Sequence, residues 1–288
     1  MTRPGFREQR WLSADGLELY ARVYDGAPAG ALTVLCLPGL TRNSRDFEAL
    51  ALHLAPRYRV VCPDLRGRGL SARDPNWRNY QPATYLADLQ ALATVLAIRR
   101  AAIIGTSLGG LLAMMLAAAA PERVAGIVLN DIGPDIDPKG AERIMSYAGV
   151  LPPVRTWAEA VSQLRTVYGN AWPGLPDAKW AMLARRSYRV DANGTPVLDA
   201  DQGIGRALRA PPAAPNALWP VFAKASGVSM LVIRGELSDI LSLETLERMQ
   251  REKPDLEQLT VANRGHVPLL DEPEALPAIE HFLSRLRP

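Results

Sequence analysis

The sequence contains few cysteines and few histidines. Only two of its 288 residues are cysteines, Cys36 and Cys62, and both lie in apolar runs of strand length. We therefore expect two buried free thiols rather than a disulfide. The three histidines leave only three candidates for an imidazole general base.

Long apolar runs and charge of a single sign are also absent. The longest apolar run, residues 111–120, is too short to cross a bilayer, and the first ten residues lack the apolar core of a signal peptide. Scattered basic residues, 33 against 30 acidic ones, do not form a nucleic-acid-binding patch. We expect a cytoplasmic monomer or homodimer that acts on a small molecule, with neither nucleic acid nor membrane as a partner.

What the chain does contain is an alternation of short apolar strands and amphipathic helices. Such alternation predicts an α/β fold with a mainly parallel sheet. A hairpin around Asp15-Gly16 precedes it. The predicted strands that follow are residues 31–37, 58–62, 101–104, 124–129, 229–234 and 256–261.

The alternation is interrupted between residues 134 and 219. This segment has three predicted helices, at about 139–149, 157–168 and 176–187, and no strong apolar strand. We expect a core formed by residues 1–133 and 220–288, with residues 134–219 inserted as a helical lid over an apolar pocket. Four of the six tryptophans lie in the lid range, and three are candidate substrate contacts: Trp157, Trp172 and Trp180.

The segment that points to chemistry joins the strand 101–104 to an Ala/Leu/Met-rich helix. At the junction stands Gly105-x-Ser107-x-Gly109, in which small neighbours permit a sharp turn that exposes the serine hydroxyl. Amides at the start of the new helix can stabilise an oxyanion. Ser107 is therefore the candidate nucleophile, and the amides of Leu108 and Leu40 are the candidate oxyanion donors.

A serine nucleophile needs a base, and the base needs an orienting acid. His53 and His281 lie in predicted helices, whereas His266 follows a predicted strand in a loop. His266 is thus the candidate base. Asp239, in the loop after the preceding strand, is the preferred acid, with Asp131 and Glu236 as alternatives.

These motifs together resemble the α/β-hydrolases over nearly the whole chain. The matching pieces are Leu37-Pro38-Gly39-Leu40, Asp64-Leu-Arg66-Gly67-x-Gly69-x-Ser71, Gly105-x-Ser107-x-Gly109-Gly110, Arg234-Gly235-Glu236-x-x-Asp239 and Gly265-His266. The resemblance implies an eight-stranded sheet with an antiparallel second strand, a lid between the sixth and seventh strands, and a Ser-His-Asp triad that needs no cofactor or metal.

The sequence departs from the usual pattern of that family at two points that bear on the site. Pro38-Gly39 stands where His-Gly is more common. Asp239 follows the strand-end Gly235 by four residues, where three is more usual, which is why Asp131 and Glu236 remain alternatives.

The function expected from this pattern is hydrolysis of a carboxylic ester or related acyl compound with a small to medium, largely apolar substrate. Cleavage of a carbon-carbon bond, lactone hydrolysis, perhydrolysis and acyl transfer use the same triad and remain alternatives. A protein of a different class, a ligand-binding module that retains the triad without turnover, is a further alternative.

Overall fold

The computed structural model describes residues 5–210 and 218–288. Eight strands form one sheet in the order β1-β2-β4-β3-β5-β6-β9-β10, and β2 runs antiparallel to both of its neighbours while the later pairs are parallel. The expected eight-stranded sheet with an antiparallel second strand is confirmed. The strands are β1 (Arg7–Leu12), β2 (Glu18–Tyr24), β3 (Thr33–Leu37), β4 (Arg59–Asp64), β5 (Ala101–Thr106), β6 (Val124–Asn130), β9 (Met230–Gly235) and β10 (Glu257–Val261).

Helices cover both faces of the sheet, which explains why its inner strands are apolar without alternation. In β3, Leu35 and Leu37 face one core cluster, while Val34 and Cys36 face the other. Cys36 and Cys62 are buried and free, as expected. The flanking helices are α1 (Glu48–Leu54) and α10 (Ala275–Ser284) on one face, and α2 (Pro82–Val95), α3 (Leu108–Ala119), α8 (Leu218–Ala225) and α9 (Leu243–Glu252) on the other.

Between β6 and α8 the chain forms a helical unit with an apolar cluster of its own. The three helices predicted there are present, together with a short helix and a two-stranded hairpin that the sequence did not indicate. Strands of three residues are too short to leave an apolar pattern. The elements are α4 (Pro138–Tyr147), α5 (Trp157–Tyr168), α6 (Asp177–Ser187), β7 (Tyr188–Val190), β8 (Pro196–Leu198) and α7 (Gly203–Arg209).

The predicted lid, residues 134–219, can be compared with the structure at Trp219 but not over its whole length. Residues 211–217 of the predicted lid, like residues 1–4 of the predicted core, lie outside the described residues. Trp219, expected in the lid, lies on α8 and packs against the core cluster beside Phe222. Among the helices of the described ranges, none is both long and apolar enough to span a membrane.

Candidate active site

Ser107 lies at a strained turn between β5 and α3. Its backbone φ is +51° and ψ is −115°, a conformation that costs a side-chain-bearing residue on the order of 1–3 kcal/mol. The turn requires glycine on both sides: a Cβ on Gly105 would lie 2.4 Å from the Gly109 carbonyl oxygen, and a Cβ on Gly109 would lie 2.1 Å from that of Leu37. The turn is therefore built to hold one hydroxyl at the carboxyl edge of the sheet.

His266 reaches Ser107 from the loop after β10. Its Nε2 lies 2.9 Å from the Ser107 Oγ, and the residue is 5% exposed. The adjacent Gly265 amide donates a hydrogen bond of 2.7 Å to the carbonyl of Ala171 in the helical unit. The histidine loop is thus held by the helical unit as well as by the sheet.

The carboxylate that contacts His266 belongs to Asp131, directly after β6. The Asp131 Oδ2 lies 2.7 Å from the His266 Nδ1, and the residue is fully buried. Oδ2 also accepts a 2.6 Å hydrogen bond from the Ser238 hydroxyl, and Oδ1 accepts one of 2.8 Å from the Gly235 amide. Three donors therefore fix the carboxylate, the imidazole among them.

The preference for Asp239 as the acid is corrected by this geometry. Asp239 instead forms a bidentate ion pair with Arg143 of α4, whose Nη2 lies 2.8 Å from Oδ1. Partial burial acts to raise the pKa of Asp239, but the hydrogen bonds and charge of Arg143 outweigh it and leave this pKa below its ordinary value. Three residues after Gly235, where the acid is more usual, stands Ser238, whose hydroxyl binds Asp131.

Glu236, the other alternative, is exposed and its carboxylate accepts a hydrogen bond from the Asn263 amide. Asp131, the third candidate acid, directly follows the buried strand β6, and its φ is +56°, a left-handed conformation that aspartate adopts more readily than most residues. The sequence signal for its position is Gly133-Pro134, which indicates a turn at the end of this strand.

The expected oxyanion donors are the amides of Leu108, which directly follows Ser107 at the start of α3, and of Leu40, which lines the cavity above Ser107. In residues 5–210 and 218–288 neither amide donates a hydrogen bond. The Leu40 carbonyl is held by Arg68, whose Nε donates to it at 2.9 Å. Arg68 is 1% exposed and stacks against the rings of Tyr80 and Tyr85. Sequence reasoning gave this arginine no role in the site.

A cavity opens over Ser107 and His266, and its empty space, counted together with the open solvent at its mouth, is about 900 Å³. Of the three predicted tryptophan contacts, Trp172 lines it, and its indole nitrogen donates to the Val267 carbonyl at 2.7 Å. Trp157 and Trp180 do not line it. Trp180 is 3% exposed and packs against Trp172 inside the helical unit, and Trp157 stacks under the guanidinium of Arg185.

The cavity wall that sequence reasoning missed comes from α4 and α5. Tyr147 and Tyr168, the last residues of these helices, face the cavity, and Tyr168 stacks on Trp172 with ring centroids 4.9 Å apart. Burial raises the pKa of Tyr147 well above its ordinary value, so its phenol stays neutral. Within the described ranges, no three His, Cys, Asp or Glu side chains group so as to hold a metal ion.

The fold and the site geometry are those of an alpha/beta hydrolase, and comparison with known sequences gives the same family. A model of the alpha/beta hydrolase family matches residues 34–278, and the chain belongs to this family. A solved structure of an alpha/beta hydrolase from Novosphingobium aromaticivorans is similar with a TM-score of 0.91 and 43% identity, covering 98% of this chain and 99% of that one.

Two curated relatives match over most of their length. A 3-hydroxybutyrate-oligomer hydrolase from Cupriavidus necator is 31% identical over 282 residues, 95% of each chain. A 2-(acetamidomethylene)succinate hydrolase from Mesorhizobium japonicum is 28% identical over 252 residues, 87% of each chain. The names of these relatives support a hydrolase activity for this chain.

Proposed function

We propose that the protein is a serine hydrolase that cleaves a carboxylic ester through an acyl-enzyme on Ser107. The observation that carries this proposal is the continuous chain of hydrogen bonds from Ser107 through His266 to Asp131, beside a cavity that Ser107 and His266 line. An oligomer of 3-hydroxybutyrate, the substrate named for one relative, is itself joined by ester bonds.

In the proposed reaction, His266 Nε2 takes the Ser107 proton while Oγ attacks the ester carbonyl. Negative charge on the carbonyl oxygen is stabilised by the Leu40 and Leu108 amides. His266 then returns the proton to the departing alcohol, which leaves an acyl group on Oγ. Water, deprotonated by the same imidazole, attacks this acyl group and releases the carboxylic acid with Ser107 restored, while Asp131 holds the imidazole and stabilises its charged form.

The first test is a fluorophosphonate, which forms a covalent adduct with an activated serine. We expect one phosphonyl adduct in the intact mass of the parent and none on Ser107→Ala. As a matched control, Ser162→Ala, on the exposed side of α5, should label like the parent. A folded parent that remains unlabelled would contradict the proposal and favour a binding protein that keeps the triad without turnover.

Ser238 acts in this proposal as a positioning residue for Asp131. Ser238→Ala removes one of three hydrogen bonds to that carboxylate, and the loss of a hydrogen bond to a charged group predicts a fall in kcat of roughly tenfold, with KM little changed. Nitrophenyl ester kinetics would measure it. Ser238→Thr, which keeps the hydroxyl, should recover most of the activity; an equal loss in both variants would indicate a structural role only.

A further inference from the structure

The cavity above Ser107 is lined by four charged side chains besides the histidine: Arg42, Asp46, Arg186 and Asp271. The first two neutralise each other. Arg42 donates from Nε and Nη2 to the two carboxylate oxygens of Asp46 at 2.7 and 2.6 Å, and its Nη1 donates to the Ser187 hydroxyl. Every side-chain nitrogen of Arg42 is therefore engaged, and the pair adds no net charge to the wall.

The remaining carboxylate of the wall, Asp271, forms an ion pair with Lys179. Arg186 has no such partner: across residues 5–210 and 218–288, no carboxylate lies within ion-pair distance of it. Within the part of the chain that the structure describes, its side chain makes one hydrogen bond, a long one of 3.4 Å from Nη1 to the Asp46 carbonyl oxygen. The wall of the cavity thus carries one uncompensated positive charge.

The backbone that carries Arg186 is bound to the core. The Arg186 carbonyl accepts a 2.9 Å hydrogen bond from the side-chain amide of Asn43, a residue that is 1% exposed in the core. The next residue, Ser187, is tied to Arg42 on the core side. The helix end that presents the guanidinium is therefore anchored, which lowers the entropic cost of binding a ligand there.

A guanidinium with its donors available binds a carboxylate through two parallel hydrogen bonds. The same cavity is also lined by apolar side chains that suit a hydrocarbon chain: Phe47, Ala49, Leu50, Ile144 and Leu183. A single positive charge matches a monoanion, whereas a phosphate monoester, with a charge of about −1.5 to −2 at pH 7, would remain partly uncompensated.

We propose that the substrate is an ester that also carries a free carboxylate, and that Arg186 binds this carboxylate while the ester carbonyl lies at Ser107. The assignment rests on the proposed function of the same site. It replaces the largely apolar substrate expected from the sequence by one with an apolar middle and an anionic end.

The test compares esters of equal chain length that differ only in a terminal carboxylate. Mono-4-nitrophenyl adipate and suberate are set against 4-nitrophenyl hexanoate and octanoate, and selectivity is the ratio of kcat/KM for the acid ester to that for the neutral ester. We expect Arg186→Gln to lower selectivity on the order of 10- to 100-fold, mainly through KM, because charge-assisted hydrogen bonds are lost. Added salt should lower the selectivity of the parent as well.

Arg185→Gln is the matched control, since it removes the same charge from the adjacent position of α6. Arg185 stacks on Trp157 and does not line the cavity, so its loss should leave selectivity within about twofold. A parent without preference for the acid esters, or equal effects of the two variants, would overturn the role of Arg186.

A second measurement separates failure of this inference from failure of the proposed function. Calorimetric binding of monomethyl adipate, which has one free carboxylate, and of neutral methyl hexanoate to Ser107→Ala needs no turnover. Monomethyl adipate should bind more tightly than methyl hexanoate, and Arg186→Gln in that background should remove the difference. If monomethyl adipate binds preferentially but the parent hydrolyses no ester and takes no fluorophosphonate, the carboxylate site stands and the esterase proposal fails. If the parent hydrolyses neutral esters and monomethyl adipate binds no more tightly than methyl hexanoate, the esterase proposal stands and the carboxylate site fails.

Discussion

Replacing Asp131 by asparagine is expected to lower kcat on the order of 10⁴-fold while the protein stays folded. The asparagine carbonyl, in the place of Oδ1, can still accept from the Gly235 amide, while the NH₂ group takes the place of Oδ2, which accepted from the Ser238 hydroxyl. Its NH₂ group then faces the His266 Nδ1 and favours the tautomer with the proton on Nε2. In that tautomer His266 is unable to accept the Ser107 proton, so the nucleophile is not activated.

Asp239→Asn provides the comparison that decides between the two acids. This change breaks the ion pair with Arg143 but leaves the contact between Asp131 and His266 intact, so kcat should stay within about tenfold of the parent. Ester hydrolysis assays on both variants give the two kcat values, and circular dichroism confirms that both proteins are folded. A larger loss in Asp239→Asn than in Asp131→Asn would contradict the assignment.

The largest expected effect on stability comes from Arg66, a 1% exposed guanidinium in the loop after β4. It donates to three carboxylates: Asp88 at 2.7 and 2.6 Å, Asp74 at 2.6 Å and Asp15 at 2.9 and 3.1 Å. Asp74 and Asp88 are nearly as buried as the arginine. Arg66→Met leaves their charges unpaired and should lower the free energy of unfolding by about 3–5 kcal/mol.

The loss of unfolding free energy in Arg66→Met should become smaller as the pH falls. Hydrogen bonds from Arg66 and Ser13 lower the pKa of Asp15 to about 2. The parent therefore gains stability from Asp15 above its unfolded-state pKa, near 4, and loses that gain as the pH falls from about 4 toward 2. Burial raises the pKa of Asp88 despite Arg66, so in the variant this carboxyl protonates early and the deficit shrinks on acidification.

Urea unfolding at pH 7 and at mildly acidic pH measures both effects. Arg66→Met with Asp88→Leu should recover part of the loss, because the uncompensated buried charge is removed with its partner. Arg7→Met, which breaks an exposed ion pair with Asp25, should cost less than about 1 kcal/mol. If Arg66→Met loses no more unfolding free energy than Arg7→Met, the buried cluster around Arg66 does not stabilise the fold.

The parts of the fold that the sequence predicted are those governed by local rules. Apolar strands of five to seven residues mark the inner sheet, and the glycines around Ser107 mark a turn that no larger residue permits. His266 was identified because the other two histidines lie in helices. Each of these inferences needs only a short window of sequence or a count of one residue type.

The parts that could not be predicted depend on contacts between distant segments. Asp131 contacts His266 across 135 positions of sequence, and Asp239 is paired with Arg143, a residue 96 positions earlier. Whether a tryptophan of the helical unit lines the cavity or fills the interior of the unit depends on how its segment packs. Trp172, in the turn between α5 and α6, lines the cavity, whereas Trp180, on α6, packs inside the unit.

The helical unit leaves the sheet after β6 and the chain returns to it at β9, and these two strands are hydrogen-bonded neighbours. Because the ends of the excursion meet at adjacent strands, the sheet closes across it whatever its length or content, and lengthening such a connection costs little chain entropy. An exchange of the whole helical unit, Arg186 included, would therefore leave Ser107, Asp131 and His266 in place, because these three residues follow β5, β6 and β10 of the sheet.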